Sequence, residues 1–251
     1  MKKTVEISII MPNYNSYEYL ERTIQSVIKQ SFVNWELIII DDKSNLETQK
    51  ILRKYKKNKK IKVFFLKSNK GDGYCRIFGI KKSSSNLIAF LDSDDTWKKN
   101  KLKLQYNFMK KNDYDFTYTG YEAIKENGKS KKIIFPPKKF SYGTFINNTS
   151  IATSSIIVRK IFLSNLKLSK SPNFEDYYLK CQILKKIKYA YCIQKNLLRY
   201  RLRNTSLSKN KLRNVFWLWQ INRKFNRLGL YDSLISLIMV SLKSLQKYGL
   251  K

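Results

Sequence analysis

Histidine is absent from all 251 residues. Its absence excludes every mechanism that needs imidazole as a general base or metal ligand, and leaves acid–base work to carboxylates, Lys, Tyr or Cys. The three cysteines, Cys75, Cys181 and Cys192, make no CxxC and no zinc-ligand spacing. An odd number in a chain of this size fits a reducing compartment, with each thiol a small core residue. Proline and glycine are scarce, at 4 and 8 residues, and the hydrophobic and aromatic content argues against a disordered chain. No apolar run approaches the ~18 residues that span a bilayer, and Met1 to Thr4 carry no signal-peptide core. The chain is expected to be cytoplasmic, at most peripheral on the inner face of a membrane.

Acids are also few, with 18 Asp+Glu against 51 Lys+Arg and a formal charge of +33. Such a field attracts polyanions: nucleic acid, anionic membrane or phosphorylated substrates. The lysines are dispersed in short pairs between apolar runs, which argues against a single nucleic-acid face. A hydrophobic content of 43% and an aromatic content of 14% suffice for a globular core.

The first hundred residues alternate strand and helix. Ile7 to Met11, Trp35 to Ile40, Ile61 to Leu66 and Leu87 to Leu91 are short apolar runs. Between Tyr17 and Gln30, the residues Leu20, Ile24, Val27 and Ile28 fall on one helical face. A lysine-rich helix to about Lys57 and another over Tyr74 to Lys82 fill the remaining gaps. Near-continuous apolar strands separated by helices predict a parallel sheet covered on both faces. Beyond Asn112 the rhythm changes. Strands are expected at 116–121, 151–158, 189–193 and 197–202, and a helix from Glu175 to Lys186. Helices at 211–228 and 231–247, parted by Gly229, close the chain. The first should present Leu212, Val215, Phe216, Trp219 and Phe225, and the second Leu234, Leu237, Ile238 and Leu242. They either pack on the domain or lie on an anionic membrane as a basic amphipathic segment.

Polar residues gather where the predicted strands end, the edge at which open α/β sheets bind ligands. The sharpest signal is Asp92-Ser93-Asp94-Asp95. Carboxylates two apart on an extended segment share a side, and Mg²⁺ or Mn²⁺ takes one or two of them together with phosphate oxygens. The bland alternative is a solvated turn capping the next helix. Asp41-Asp42 ends another strand and could be a helix cap. Tyr14 could be packing or a base platform, and Arg76 a surface cation. Glu175-Asp176 could be ordinary first-turn acids, although a helix N-terminus favours an ionised carboxylate, as a base requires.

Taken in order, Pro12-Asn13-Tyr14-Asn15, a strand ending in Asp41-Asp42, Arg76 after a glycine turn, and Leu91-Asp92-Ser93-Asp94-Asp95 resemble the family 2 glycosyltransferases. Gly79-Ile80, Ile88-Ala89-Phe90, Thr96-Trp97 and Lys101-Leu102 extend the likeness. So do Thr153-Ser154-Ser155, Phe174-Glu175-Asp176-Tyr177 and Tyr200-Arg201-Leu202-Arg203 with Ser206-Leu207-Ser208. The resemblance covers about residues 5–215, and departs at Ile77, where Asn is common, and at Gly73-Tyr74-Cys75.

It implies a GT-A fold, Rossmann-like with a mainly parallel central sheet. Residues 1–105 would form a nucleotide-sugar half and 106–210 an acceptor half, with 211–251 a C-terminal helical segment. It implies transfer from a nucleotide diphosphate sugar, most naturally a UDP-sugar, to a hydroxyl of a glycan or polyprenyl-linked acceptor, with inversion. Tyr14 would stack on the base and Asp42 accept from it, with Pro12, Asn15 and Asp41 shaping the pocket and Arg76 near base or phosphates. Asp92 would contact ribose and assist the metal, Asp94 would hold a divalent Mn²⁺ or Mg²⁺, and Asp176 would be the catalytic base beside Glu175. The competing readings are a nucleotidyltransferase, disfavoured because Pro12 to Ser16 contain no glycine, a nucleic-acid binder, and a silent nucleotide-binding relative.

Overall fold

The computed structural model describes residues 4–169, 175–203 and 211–248. The first apolar run becomes β1 (Ile7–Asn13), buried at all seven positions. The second becomes β2 (Trp35–Asp41), equally buried. With β3 (Ile61–Phe65) and β4 (Leu87–Phe90) they pair in parallel in the order β3-β2-β1-β4. Strand alternation divides the core: Ile10, Ile38 and Ile40 point to one face, Ile9, Leu37 and Ile39 to the other.

Helices close both faces. On one side lies α1 (Tyr17–Ile28), which buries Leu20, Ile24 and Val27 as its periodicity predicts. Next to it comes α2 (Leu46–Tyr55), capped by the Asn45 side chain on the Thr48 N–H at 3.0 Å. On the other side α3 (Asp72–Lys82) presses so close to β1 and β2 that a Cβ on Gly79 would stand 2.5 Å from Ile10 Cγ2 and 2.9 Å from Ile40 Cδ1.

The second half extends the same sheet. After β5 (Thr96–Trp97) and α4 (Lys101–Asn112) come β6 (Phe116–Lys125), β7 (Ser130–Ile134), β8 (Lys139–Phe140), α5 (Tyr142–Ile146) and β9 (Ile157–Arg159). Then follow α6 (Glu175–Leu184), β10 (Ala190–Leu202), α7 (Lys211–Gln220) and α8 (Leu230–Tyr248). The sheet continues β4-β9-β6-β10-β5, with β9 antiparallel to both of its neighbours and β6 parallel to β10.

Several expected elements take other forms. The strand expected over 151–158 is a 3₁₀ turn at Thr153–Ser155 followed by a three-residue strand. The two short strands at 189–193 and 197–202 are one strand, β10, whose register shifts between Ile193 and Leu198. The helix expected to run to 228 changes to π-helical turns at Ile221–Phe225. That change accompanies a fully buried Asn222, which accepts from Tyr177 Oη at 2.8 Å and donates to Ser236 Oγ at 2.9 Å. Phe174 and Ser206-Leu207-Ser208 lie outside the described residues. The three cysteines are free and buried, as core residues.

Candidate active site

The ends of the parallel strands converge on one edge, and there the loops are stitched to one another. Asn15, in the left-handed region at φ 46°, donates its N–H to Ser44 Oγ at 2.9 Å. Its side-chain oxygen accepts from the Asn45 N–H at 2.8 Å. Asp41 is fully buried, accepting from Asn13 Nδ2 at 2.7 Å and the Ser44 N–H at 3.2 Å. Asp42 accepts from the Lys70 and Gly71 N–H groups, each at 2.7 Å, and so ties the β2 end to the turn entering α3. Pro12 is buried within β1. Tyr14 is left 51% exposed beside these bonded loops.

Arg76 lies deeper. Its side chain is only 4% exposed, and it bonds Asp92 Oδ1 at 2.7 Å and Asp72 Oδ2 at 3.4 Å. Burial disfavours its charge, yet Asp92, Asp72 and Asp176 together hold its pKa above the ordinary value. Arg76 is therefore a buried cation pinned among carboxylates and not a surface arginine.

The Asp92–Asp95 segment is a turn, closed by the Asp95 N–H on the Asp92 carbonyl at 3.1 Å. The extended-strand argument for placing Asp92 and Asp94 on one side does not hold; the turn brings the acids together. Burial, then repulsion from Asp92, pushes Asp94 up to about 6. Burial, Asp94 and Asp92 push Asp95 up too. Asp94 Oδ2 is 3.8 Å from Arg203 Nη1, and Asp95 Oδ1 accepts from the Arg201 N–H at 2.8 Å. Asp92 and Asp94 remain 28% and 20% exposed, while Asp95 is sealed in at 1%.

These facts bear on a divalent metal. Among the described residues no group of three or more acids forms a ready-made cage. Two partly open carboxylates, one of them raised by burial and by the other's charge, are, however, an all-oxygen donor set suited to a hard cation that shares its shell with phosphate oxygens. The residues present fit such an ion.

Asp176 sits in the first turn of α6. Its Oδ2 accepts from Lys180 Nζ at 2.8 Å and Thr153 Oγ1 at 3.0 Å. Burial would raise its pKa, but Lys180, then Arg76 and the Thr153 hydroxyl, outweigh burial and hold it at about 2. Asp176 is thus ionised throughout the neutral range, with its side chain 41% exposed. Glu175 beside it accepts from Ser169 Oγ at 2.6 Å. The 3₁₀ turn links both acidic centres. Thr153 bonds Asp176, while Ser154 Oγ accepts from the Asp92 N–H at 3.0 Å.

The structure thus brings Arg76, Asp92 and Asp176 into one electrostatic group, with Asp94 beside Asp92. Tyr14 stands exposed outside this group, and Asp41 is fully buried. Two contributors escape the sequence reading, Lys180 and Asp72. Each stands four residues from its partner, and i,i+4 spacing of opposite charges on a helix was the available signal.

The profile of Glycosyl transferase family 2 matches residues 8–167. The chain belongs to this family. Escherichia coli WfgD, named a UDP-Glc:alpha-D-GlcNAc-diphosphoundecaprenol beta-1,3-glucosyltransferase, is 33% identical over 244 residues, covering 94% of each chain. TuaG of Bacillus subtilis (strain 168), named for teichuronic acid biosynthesis, is 34% identical over 224 residues, covering 88% of this chain and 89% of that one. In fold the chain is similar to S. aureus TarS 1–349 in complex with UDP-GlcNAc, with a TM-score of 0.69 at 19% identity over 96% of this chain and 73% of that one. The architecture is the GT-A fold, and this family 2 protein is a glycosyltransferase related to enzymes of cell-surface polysaccharide synthesis.

Proposed function

We propose that the enzyme moves a sugar from a UDP-sugar to a hydroxyl of a glycan or polyprenyl-linked acceptor by a single, inverting displacement. The observation that carries this reading is the union, across the Thr153-Ser154 turn, of an ionised Asp176 with the Asp92–Asp94 acids.

In this reading, residues 1–105 hold the donor and 106–210 the acceptor, with 211–251 a C-terminal helical segment. Tyr14 stacks on uracil and Asp42 contacts it, within a pocket shaped by Pro12, Asn15 and Asp41. Arg76 positions Asp92, which contacts the ribose. Asp94, assisted by Asp92, would hold Mn²⁺ or Mg²⁺; when bound, such an ion supplies neutralising charge to the leaving diphosphate. Asp176, flanked by Glu175, takes the proton of the acceptor hydroxyl as that oxygen forms its bond to the anomeric carbon. The bond from that carbon to the diphosphate breaks on the opposite side, and UDP leaves with the electron pair.

The acceptor reading draws on WfgD, whose name specifies a lipid-linked diphosphate. It also draws on α8, which packs Leu237 and Val240 against the core yet leaves other apolar side chains outward. Ser233 and Ser236 are buried against the domain, while Leu234, Ile238 and Leu242 are about half exposed. On α7 Leu218 is buried, while Val215 and Phe216 face outward. Outward leucines among lysines suit the surface of an anionic membrane, on the cytoplasmic side that three free thiols favour. Among the described residues, no helix is long and apolar enough to cross a bilayer.

Thermal-shift measurements with UDP, GDP, CDP and TDP, each with and without Mn²⁺, test the donor side. Metal-dependent stabilisation by UDP alone is expected; stabilisation by none of the four overturns the reading.

A further inference from the structure

A concavity opens beside the C-terminal end of α8. It has a volume of about 300 Å³ and lies between the chain from Lys132 to Pro137 and the last turns of α8. Three lysines line it: Lys132, Lys243 and Lys247. Lys132 is held in place by donating to the Gln246 carbonyl at 3.0 Å. Burial foremost, then Lys180 and Lys243, brings Lys247 down to about 8. Crowding three ammonium groups around one partly enclosed space is unfavourable unless an anion occupies it.

The inner wall carries two further polar atoms. Ser150 is 3% exposed and Asn148 is 8% exposed. Both line the cleft, and among the described residues neither Ser150 Oγ nor Asn148 Oδ1 has a hydrogen-bond partner. Buried polar groups are ordinarily satisfied, so a hydroxyl donor and an amide acceptor left unpaired in a cationic cleft point to a ligand carrying both anionic oxygens and hydroxyls. The opposite wall, with Phe135 and Pro136, is apolar.

The same segment reaches the reacting carboxylate. One residue after Ser150, the Ile151 carbonyl accepts from Lys180 Nζ at 3.0 Å; two residues further on, Thr153 bonds Asp176. Residues 150–153 therefore connect the cleft to the proposed base.

We propose that this cleft is the acceptor's phosphate subsite, in which Lys132, Lys243 and Lys247 hold a phosphate or diphosphate ester. Ser150 donates to its oxygens, and Asn148 accepts from a hydroxyl of the adjoining sugar. The assignment rests on Asp176 being the base of glycosyl transfer. It gives the acceptor a specific chemistry, a sugar phosphate whose free hydroxyl points to Asp176.

The test is calorimetric titration of the full chain with glucose 1-phosphate, with and without saturating UDP, beside unphosphorylated glucose. Vesicles of phosphatidylcholine with phosphatidylglycerol form a separate arm. Glucose 1-phosphate should bind in the presence of UDP, and glucose should not. The Lys243→Gln/Lys247→Gln variant should weaken sugar-phosphate binding at least tenfold and leave UDP affinity within twofold. Its melting temperature should hold or rise, because like charges are removed; Ser150→Ala provides a second, uncharged probe that should also weaken binding. Wild-type and variant chains that bind glucose 1-phosphate equally, or a wild type that does not bind it, overturn the proposal. Loss of vesicle binding alone overturns it as well, by assigning the lysines to bilayer headgroups. Failure of UDP to bind would count against the donor site instead, and the UDP-free titration would still decide the subsite.

Discussion

Lys180 stands one helical turn after Asp176, and its ammonium nitrogen lies 2.8 Å from the Asp176 carboxylate. The lysine is only 4% exposed and also donates to the Ile151 carbonyl, so it is fixed in place. It keeps Asp176 ionised against burial, and it lowers the carboxylate's basicity in doing so. For the proton acceptor proposed above, a pKa of about 2 makes a weak base by itself. Its advantage is that the ionised form is fully populated at neutral pH and is already aimed.

Replacing Asp176 by Asn removes the proposed proton acceptor while keeping shape and an oxygen for the Thr153 contact. Transfer should fall by at least ~100-fold, the usual scale of general-base catalysis, with UDP-induced thermal stabilisation unchanged. Undiminished turnover would remove Asp176 from the mechanism.

Lys180→Met should act on the same carboxylate through its pKa. Lys180 is the largest influence lowering it, so its loss should move the acid limb of kcat/KM to higher pH. The wild-type limb from this group should lie below pH 4. A limb that does not move with the substitution would show that Asp176 does not set it.

At the acidic turn, Asp94→Asn keeps the side-chain volume and removes one charge from the Asp92–Asp94 pair. Stabilisation by UDP with Mn²⁺ should shrink to that seen with UDP and EDTA in the parent chain. If the variant still responds to Mn²⁺, the metal is not held there.

Gly79→Ala tests the close approach of α3. The helix would gain ~1 kcal/mol from alanine's propensity, but the new methyl would lie 2.5 Å from Ile10 Cγ2 inside a packed core. Overpacking costs ~1–3 kcal/mol, so a net loss is expected, seen as a lower midpoint in urea. A raised midpoint would mean that α3 can move outward freely.

Glu36 sets an acid limit on stability away from the site. Burial opposes its charge, but Lys62, Ser8 and the Ser84 N–H and hydroxyl hold it at about 2, below its ordinary 4.5. A depressed folded-state pKa stabilises the native chain above the unfolded value. That contribution of ~3 kcal/mol should disappear as pH falls from about 4.5 to 2. In Glu36→Gln the acid dependence of urea unfolding should flatten in that window; a curve parallel to the wild type would contradict the assignment.

The sequence by itself determined the fold of the first half, because periodicity there is set by local burial. Ile9 and Ile10 face opposite sides of a sheet covered on both, and Leu20, Ile24 and Val27 make one helical stripe. The same reading singled out Asp41-Asp42 and Asp92 to Asp95 because they follow strand ends, whereas Arg76, inside α3, was proposed for the site only through the family resemblance. It could not yield β5 or β8, two residues each, whose ladders pair with β10 about a hundred and about fifty residues away and leave no periodic trace. Nor could it foresee that α8 turns serines inward, since Ser236 is drawn there by Asn222 and the Ile146 carbonyl. Only the tertiary structure decided that Asp41 is sealed, that Arg76 is buried, and that the Thr153-Ser154 turn binds Asp92 to Asp176. Those contacts join residues 23 to 62 positions apart, and sequence spacing carries no information about hydrogen bonds closed across such distances.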